Sequence, residues 1–271
     1  MLPKQIFKLL TEDYTLILAS DEKDFQAIKE VRAEVFSPKY SMPPEILEKK
    51  GYLFSQDDEQ SFLYLLRDNT RDKYVGTVRA FFINQSTPVQ KMPMQKDGNV
   101  EGIEYLTQQL PICEISRMAL SSNLSKHKDF SALQLSTYLA MSLMIATRIN
   151  SFLYHYSTLF SIMEPSLFRI LKRQNVKFNK IGNAVDYYGM RTPFAADREK
   201  MICETEESMG QITKYYLKEL CKNPESFWKF IDNNPYLKRS DIQLYRICKL
   251  FEEHGDDVDL SLLLGESAPK R

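Results

Sequence analysis

Residues 113–121 read CEISRMALS. The segment has the apolar texture of a buried strand, yet it holds a carboxylate, Glu114, and a guanidinium, Arg117. Charges in a packed strand are costly unless paired. Whatever fold the chain adopts must therefore supply partners for both. In a regular strand the side chains alternate between faces. Glu114, Ser116 and Met118 then share one face, and Cys113, Ile115, Arg117 and Ala119 the other. A bulge would break this alternation.

Other charges stand in segments that should also be packed. Arg79 lies inside the strand pattern YVGTVRAFFI of residues 74–83. Arg32 sits on the apolar side of a helix pattern, four residues before Phe36, and Asp58 heads the strand pattern SFLYLLR of residues 61–67. Glu114 and Arg117 can each have a separate structural ion partner, or all these groups can form one polar site on a sheet surface. The cluster is the simpler account of so many charges in apolar segments.

The surrounding pattern predicts the fold. Residues 14–19 read as a first strand, and Ser20-Asp21 offers a helix cap. Residues 24–36 carry Phe25, Ile28, Val31 and Val35 at helical spacing, with Pro38 expected to stop the helix. Residues 38–60 read as an irregular loop. The strands at 61–67 and 74–83, joined by the polar turn DNTRDK, predict an antiparallel hairpin. Residues 84–110 read as a loop with one short helix near 103–109. A strand at 112–120 is followed by a polar loop and a long helix over about 130–149. Residues 152–162, rich in aromatic and β-branched side chains, read as a strand. Pro165 opens a helix to about 174, and 176–181 and 185–190 read as two short closing strands. The order predicts an α/β (α+β) domain with a mixed, mostly antiparallel sheet and helices on both faces. From 197 onward the pattern is helical, with breaks at Asn223-Pro224 and Asn234-Pro235 and a polar tail after Leu264. The expected organisation is one domain over 1–196 and a helical extension over 197–271.

Composition narrows the function. Of 271 residues, 36 are basic and 36 acidic, so no large basic field points to nucleic acid. Cys113, Cys203, Cys221 and Cys248 are widely spaced, and the three histidines are scattered. That argues against a metal site or a disulfide framework and fits a reducing compartment. His127, His155 and His254 have no Ser–Asp context for a hydrolase triad. Cys113, without a histidine partner, reads as inert packing. The N-terminus lacks a signal-peptide pattern. The most apolar segment, 131–149, holds Gln134, Ser136 and Arg148 and reads as a buried helix rather than a span. The expected location is cytoplasmic, with peripheral contact at the inner membrane left open.

These motifs resemble a known family. Arg32 and Phe36 on the first helix, Gly76 and Arg79 on a strand, and Glu114, Ser116 and Arg117 on the next are similar to the acyl-homoserine-lactone synthases of the GCN5-related N-acyltransferase superfamily. Residues 163–194, MEPSLFRILKRQNVKFNKIGNAVDYYGMRTPF, resemble the N-acyl amino acid synthases, including acyltransferases associated with exosortase systems. The resemblance covers about residues 14–194. It has departures. An Asp-x-x-Asp pair of the family is reduced to Asp58, with Ser55 at the earlier position, Leu63 stands where a histidine is usual, and Tyr188 where another is.

The resemblance implies transfer of a fatty acyl group from a thioester to an amine, giving an N-acyl amino acid. Acyl carrier protein, through its phosphopantetheine, is the implied donor, with acyl-coenzyme A open; no permanently bound cofactor and no metal are implied. Glu114 would take or orient the amine proton. Arg32, Arg79 and Arg117 are candidates for the acceptor's carboxylate, or for holding Glu114 and Asp58 in place. Backbone N–H groups near Met118, Ala119 and Leu120 could meet the tetrahedral oxyanion. The loop 121–129 has no glycine, against a tight pyrophosphate cradle, while Lys126 and Lys128 suit a single phosphate; a solvated basic loop is the plainer reading. Phe81, Phe82, Met118, Met141, Met144 and Phe152 fit an acyl tunnel or ordinary core. The alternatives are an acyl-homoserine-lactone synthase using S-adenosylmethionine and a catalytically silent module that binds a lipid or a partner. The helical extension could serve as an oligomer interface, a membrane-surface contact or a lid.

Overall fold

The computed structural model of the chain describes residues 3–263 except 86, 88–90, 105–106, 109, 174 and 188. In chain order the first elements are α1 (Lys4–Lys8), one wider helical turn (Leu9–Asp13), β1 (Tyr14–Leu18), α2 (Glu22–Tyr40), α3 (Pro44–Lys49) and α4 (Gln56–Glu59). Then come β2 (Ser61–Asp68), β3 (Lys73–Ile83), α5 (Pro93–Lys96), β4 (Ile112–Leu120), α6 (Ala132–Leu153), β5 (Thr158–Met163) and α7 (Pro165–Arg173). The remainder is β6 (Asn179–Lys180), β7 (Val185–Asp186), β8 (Met190–Asp197), α8 (Arg198–Glu204), α9 (Glu206–Lys222), α10 (Glu225–Asn233) and α11 (Leu244–His254). The chain packs as two compact units: one comprises Leu2–Phe81 and Ile115–Ala146, the other chiefly Phe82–Glu114 and Thr147–Arg271. The division therefore passes through β3, β4 and α6.

In the first unit β1 pairs antiparallel with β2, Leu16 opposite Leu66, and β2 pairs antiparallel with β3, Leu63 opposite Arg79. Strand β4 lies next to β3. The hairpin turn closes on Asp68, whose carboxylate accepts from the N–H groups of Thr70 and Arg71 at 3.0 and 3.2 Å and from Arg71 Nε at 2.8 Å. The same carboxylate accepts from Ser125 Oγ at 2.9 Å, which ties the loop before α6 to the hairpin. Helix α2 starts at Asp21, which accepts the Asp24 N–H at 2.9 Å. It buries Ala27, Ile28, Val31 and Phe36. Pro38 does not end it as expected; the helix continues to Tyr40 and stops at Ser41, with φ +51°. Only one backbone hydrogen bond is lost to a proline in the last turn, and the left-handed residue supplies the stop.

In the second unit the start of β4 pairs parallel with β5, Cys113 opposite Leu159 and Glu114 opposite Phe160. Strand β5 is antiparallel to β8 from Thr158–Asp197 to Met163–Thr192, and β6 and β7 also pair with β8. The eight strands among the described residues are thus mixed and mostly antiparallel, as the sequence predicts. Arg198, 1% exposed, donates from Nε to the Ser151 carbonyl at 2.9 Å, a cation at the C-terminal end of α6. Burial, and then Arg198, lowers the His155 pKa to about 4.

Several expectations need correction. Residues 38–60 contain α3 and α4 rather than only loop. The short helix of the next connection is α5, not 103–109, part of which lies outside the described residues. Phe152 and Leu153 belong to α6, so β5 starts only at Thr158. Strand β8 runs from Met190 to Asp197, beyond the closing strand expected at 185–190, and passes through Pro193, whose carbonyl accepts from the Ile181 N–H at 3.1 Å. Cys221 and Cys248 are bonded as a disulfide with Cα atoms 5.2 Å apart, against the expectation of free thiols, because α9 and α11 pack together. Tyr188 and the tail after Leu264 lie outside the described residues. Among the described residues no helix is long and apolar enough to cross a membrane, and no group of His, Cys, Asp or Glu could hold a metal ion.

Gly76 on β3 sets how closely α6 approaches. A Cβ there would lie 3.2 Å from Leu143 Cδ1 and 3.3 Å from the Ala119 carbonyl. Gly76→Val should cost about 1–3 kcal/mol by overpacking, read as a lowered urea midpoint with an unchanged m-value.

Candidate active site

Asp58 organises the charges of the first unit. It closes a capping box at the start of α4, its Oδ2 accepting from the Ser55 N–H at 2.9 Å and Ser55 Oγ at 3.0 Å. Its Oδ1 accepts from Arg32 Nη2 at 2.8 Å and lies 3.6 Å from Arg79 Nη1. Arg32 is 0% exposed, and its Nη1 donates to the Leu53 carbonyl at 2.9 Å. Burial alone would raise the Asp58 pKa. The charges of Arg32 and then Arg79 reverse that and hold the carboxyl well below the usual range. Burial lowers Arg32 to about 10, against the attraction of Asp58 and with added repulsion from Arg117 and Arg79. Both arginines stay charged at neutral pH.

Arg79 Nε donates to Ser116 Oγ at 3.1 Å. The chain of contacts thus runs from α2 through α4 and β3 to the middle of β4. There the strand changes character. Residues 112–115 are buried, whereas Ser116, Arg117, Met118 and Leu120 are half-exposed and Ala119 is buried again. Arg117 has φ +54°. An arginine in the left-handed region is strained by about 1–3 kcal/mol. The strict alternation expected from the sequence fails at this residue. The Arg117 charge adds a smaller contribution to lowering the Asp58 pKa, after those of Arg32 and Arg79. Arg117 Nη1 donates to the Tyr52 carbonyl at 2.9 Å and its guanidinium lies 5.3 Å from the Tyr52 ring centroid. Among the described residues no carboxylate lies within ion-pair distance of Arg117, so it differs from Arg32 and Arg79.

Glu114 lies in the second unit. It is 1% exposed, and its Oε2 accepts from the Met94 N–H at 2.9 Å. Burial, and then Glu114, pushes the Cys113 thiol well up, in keeping with its inert role. Phe36 is buried, its ring centroid 5.4 Å from that of Tyr40. Lys126 and Lys128 are exposed in the loop before α6. That helix caps itself: the Gln134 N–H donates to Ser131 Oγ at 3.3 Å, and the Ser131 N–H to Gln134 Oε1 at 3.0 Å. Sequence reasoning grouped Arg32, Asp58, Arg79, Glu114 and Arg117 as one polar site, with Ser116 added by the resemblance; the structure joins Arg32, Asp58 and Arg79 and sets Ser116 on Arg79, whereas Glu114 takes the Met94 N–H in the second unit. It missed Leu53 and Met94, which act through backbone atoms that no side-chain pattern reveals, and Tyr52, which acts through its carbonyl and its ring.

No family model matches the chain, and no curated protein matches its sequence. Solved structures match its fold. FeeM, an N-acyl amino acid synthase from uncultured soil microbes, aligns with a TM-score of 0.50 at 12% identity, over 75% of this chain and 98% of that one. The AHL synthase LasI aligns with a TM-score of 0.43 at 11% identity, over 72% and 94%. A GNAT-family acetyltransferase from Streptococcus agalactiae aligns with 0.42 at 11%, over 69% and 96%. The chain thus shares the fold of FeeM.

Two outcomes test the cluster. Asp58→Asn would leave Arg32 and Arg79 buried with their shared counter-charge removed and should cost about 3–5 kcal/mol in urea unfolding at pH 7. The depressed carboxyl contributes stability that is present above the unfolded value near pH 4 and lost as pH falls toward the folded one; the Asn variant should lack that acid-side loss. At position 117 the ordinary strand preference for Ala over Gly should invert. Arg117→Gly should be more stable than Arg117→Ala by about 1 kcal/mol, because only glycine adopts φ +54° without strain.

Proposed function

We propose that the chain is an N-acyltransferase that moves a fatty acyl group from a thioester to the amino group of an amino acid. The observation that carries this reading is Arg117: a half-exposed guanidinium, placed by a left-handed backbone in the middle of a strand, with a carbonyl and a ring as neighbours and no carboxylate within ion-pair distance among the described residues. Its planar fork matches a free carboxylate. Arg32 and Arg79 share Asp58 and hold the cluster rigid. The acceptor is accordingly an amino acid whose α-carboxylate stays ionised. FeeM, whose fold this chain shares, is described as an N-acyl amino acid synthase.

Glu114 is the proton acceptor for the amine in this reading, on the strength of the motif resemblance; its carboxylate is fixed by the Met94 N–H. Acyl carrier protein is the favoured donor over coenzyme A. The loop 121–129 lacks glycine, and the Ser131–Gln134 capping box uses N–H groups of the first turn of α6 that a pyrophosphate would need. Lys126 and Lys128 are exposed and suit the single phosphate of phosphopantetheine.

The test is mass spectrometry of lipid extracts from cells expressing wild type, Glu114→Gln and Arg117→Ala. Wild type should yield N-acyl amino acids whose masses name both substrates. Glu114→Gln should yield at least about 10²-fold less. N-acyl lactones instead would identify an acyl-homoserine-lactone synthase, and no new lipid from folded protein with a cognate carrier protein would point to a silent binding module.

A further inference from the structure

Ser116 has a proton to give that the protein does not take. Arg79 Nε donates to its Oγ at 3.1 Å. A guanidinium has no acceptor atom, so in this bond the serine oxygen accepts and its own O–H points elsewhere. Among the described residues no acceptor receives that O–H. The residue is half-exposed, the first accessible position after four buried ones on β4. Arg79 is 1% exposed and anchored 3.6 Å from Asp58, so the charge that polarises the hydroxyl is fixed in place. A hydroxyl accepting from a cation becomes a stronger donor to a third group.

We propose that the Ser116 hydroxyl donates a hydrogen bond to the acyl carbonyl oxygen of the thioester as that oxygen gains negative charge. This inference rests on the acyltransferase reading above. In the reaction the lone pair of the neutral amine forms a C–N bond to the carbonyl carbon, the π pair moves onto oxygen, and the nitrogen gives up one proton to Glu114. The pair then returns, the C–S bond breaks, and the sulfur leaves as a thiolate that takes up one proton. Thioester and amine become amide and thiol; Ser116 keeps its proton throughout and stabilises only the oxyanion. It is not a nucleophile, because no base faces its O–H among the described residues and the Arg79 cation draws electron density from its oxygen. Nor does it serve the acceptor's carboxylate. That group takes a two-pronged partner, which Arg117 offers at the next position, whereas a single O–H fits a single oxygen.

The test is steady-state kinetics of the purified full chain with the acyl donor and amino acid identified from the lipid products, together with Tm, for wild type, Ser116→Ala and Ser116→Thr. Ser116→Ala should lower kcat on the order of 10²-fold, with both KM values within about threefold of wild type, the signature of a contact made only in the transition state. Ser116→Thr, which retains the O–H, should restore most of the rate, and both variants should melt near wild type. Unchanged kcat in the Ala variant would overturn the inference, as would a raised amino-acid KM with kcat intact, or parallel loss of rate and Tm in both variants. If wild type itself forms no amide, the acyltransferase reading fails and takes this inference with it. Amide formation by wild type with an unaffected Ala variant sinks the inference alone.

Discussion

One buried carboxylate, Asp58, ties together the arginines beside β4 in the first unit. It is 1% exposed and joins three segments far apart in sequence: the start of α4 through its capping box, α2 through Arg32, and β3 through Arg79. Each partner would be a liability alone. A buried guanidinium without a counter-charge costs several kcal/mol, and a buried carboxylate would neutralise. Together they stay ionised, and the result is rigidity rather than large net stabilisation. Rigidity is what the proposed reacting centre on the adjoining strand requires, since misplacement by about an ångström can cost 10²-fold in rate.

The strain at Arg117 has meaning against that background. A left-handed arginine persists only where its surroundings over-determine it. Here the Tyr52 carbonyl and ring hold the guanidinium from the far side of the loop between α3 and α4. That loop, read from sequence as irregular, supplies carbonyls to both Arg32 and Arg117. Its conformation is therefore part of the site, although its own side chains supply no charge to it other than Asp58 beyond its end.

Much of this was legible in the sequence. Charges inside apolar runs identified Arg32, Asp58, Arg79, Glu114 and Arg117, because burial makes isolated charges improbable, although Glu114 does not join the others; Ser116 came from the motif resemblance. The strand 112–120 and the hairpin before it were read nearly to the residue, since short apolar runs rich in aromatic and β-branched residues stand between polar turns there. Other parts were hidden for physical reasons. Phe152 and Leu153 suit a helix or a strand equally, so α6 was cut short and β5 overextended. Helices α3 and α4 are too short to show a period and depend on caps. The face of Arg117 could not be read, because nothing in an arginine announces a positive φ. The allotment of the arginines needed distances: two share one carboxylate and the third does not.

The Cys221–Cys248 bond gives the C-terminal helices a different topology from the rest of the chain. It closes a covalent ring over a sequence separation of 27, with the whole of α10 and its flanking turns inside. A backbone cut at any peptide bond within the ring opens it without releasing a fragment. The exposed turn around Asn223, where helices break, is thus a place where the chain can be severed and still remain one molecule. Parting α11 from α9 takes both reduction and cleavage within the ring, in either order, so the integrity of this region is governed by two independent chemistries rather than one.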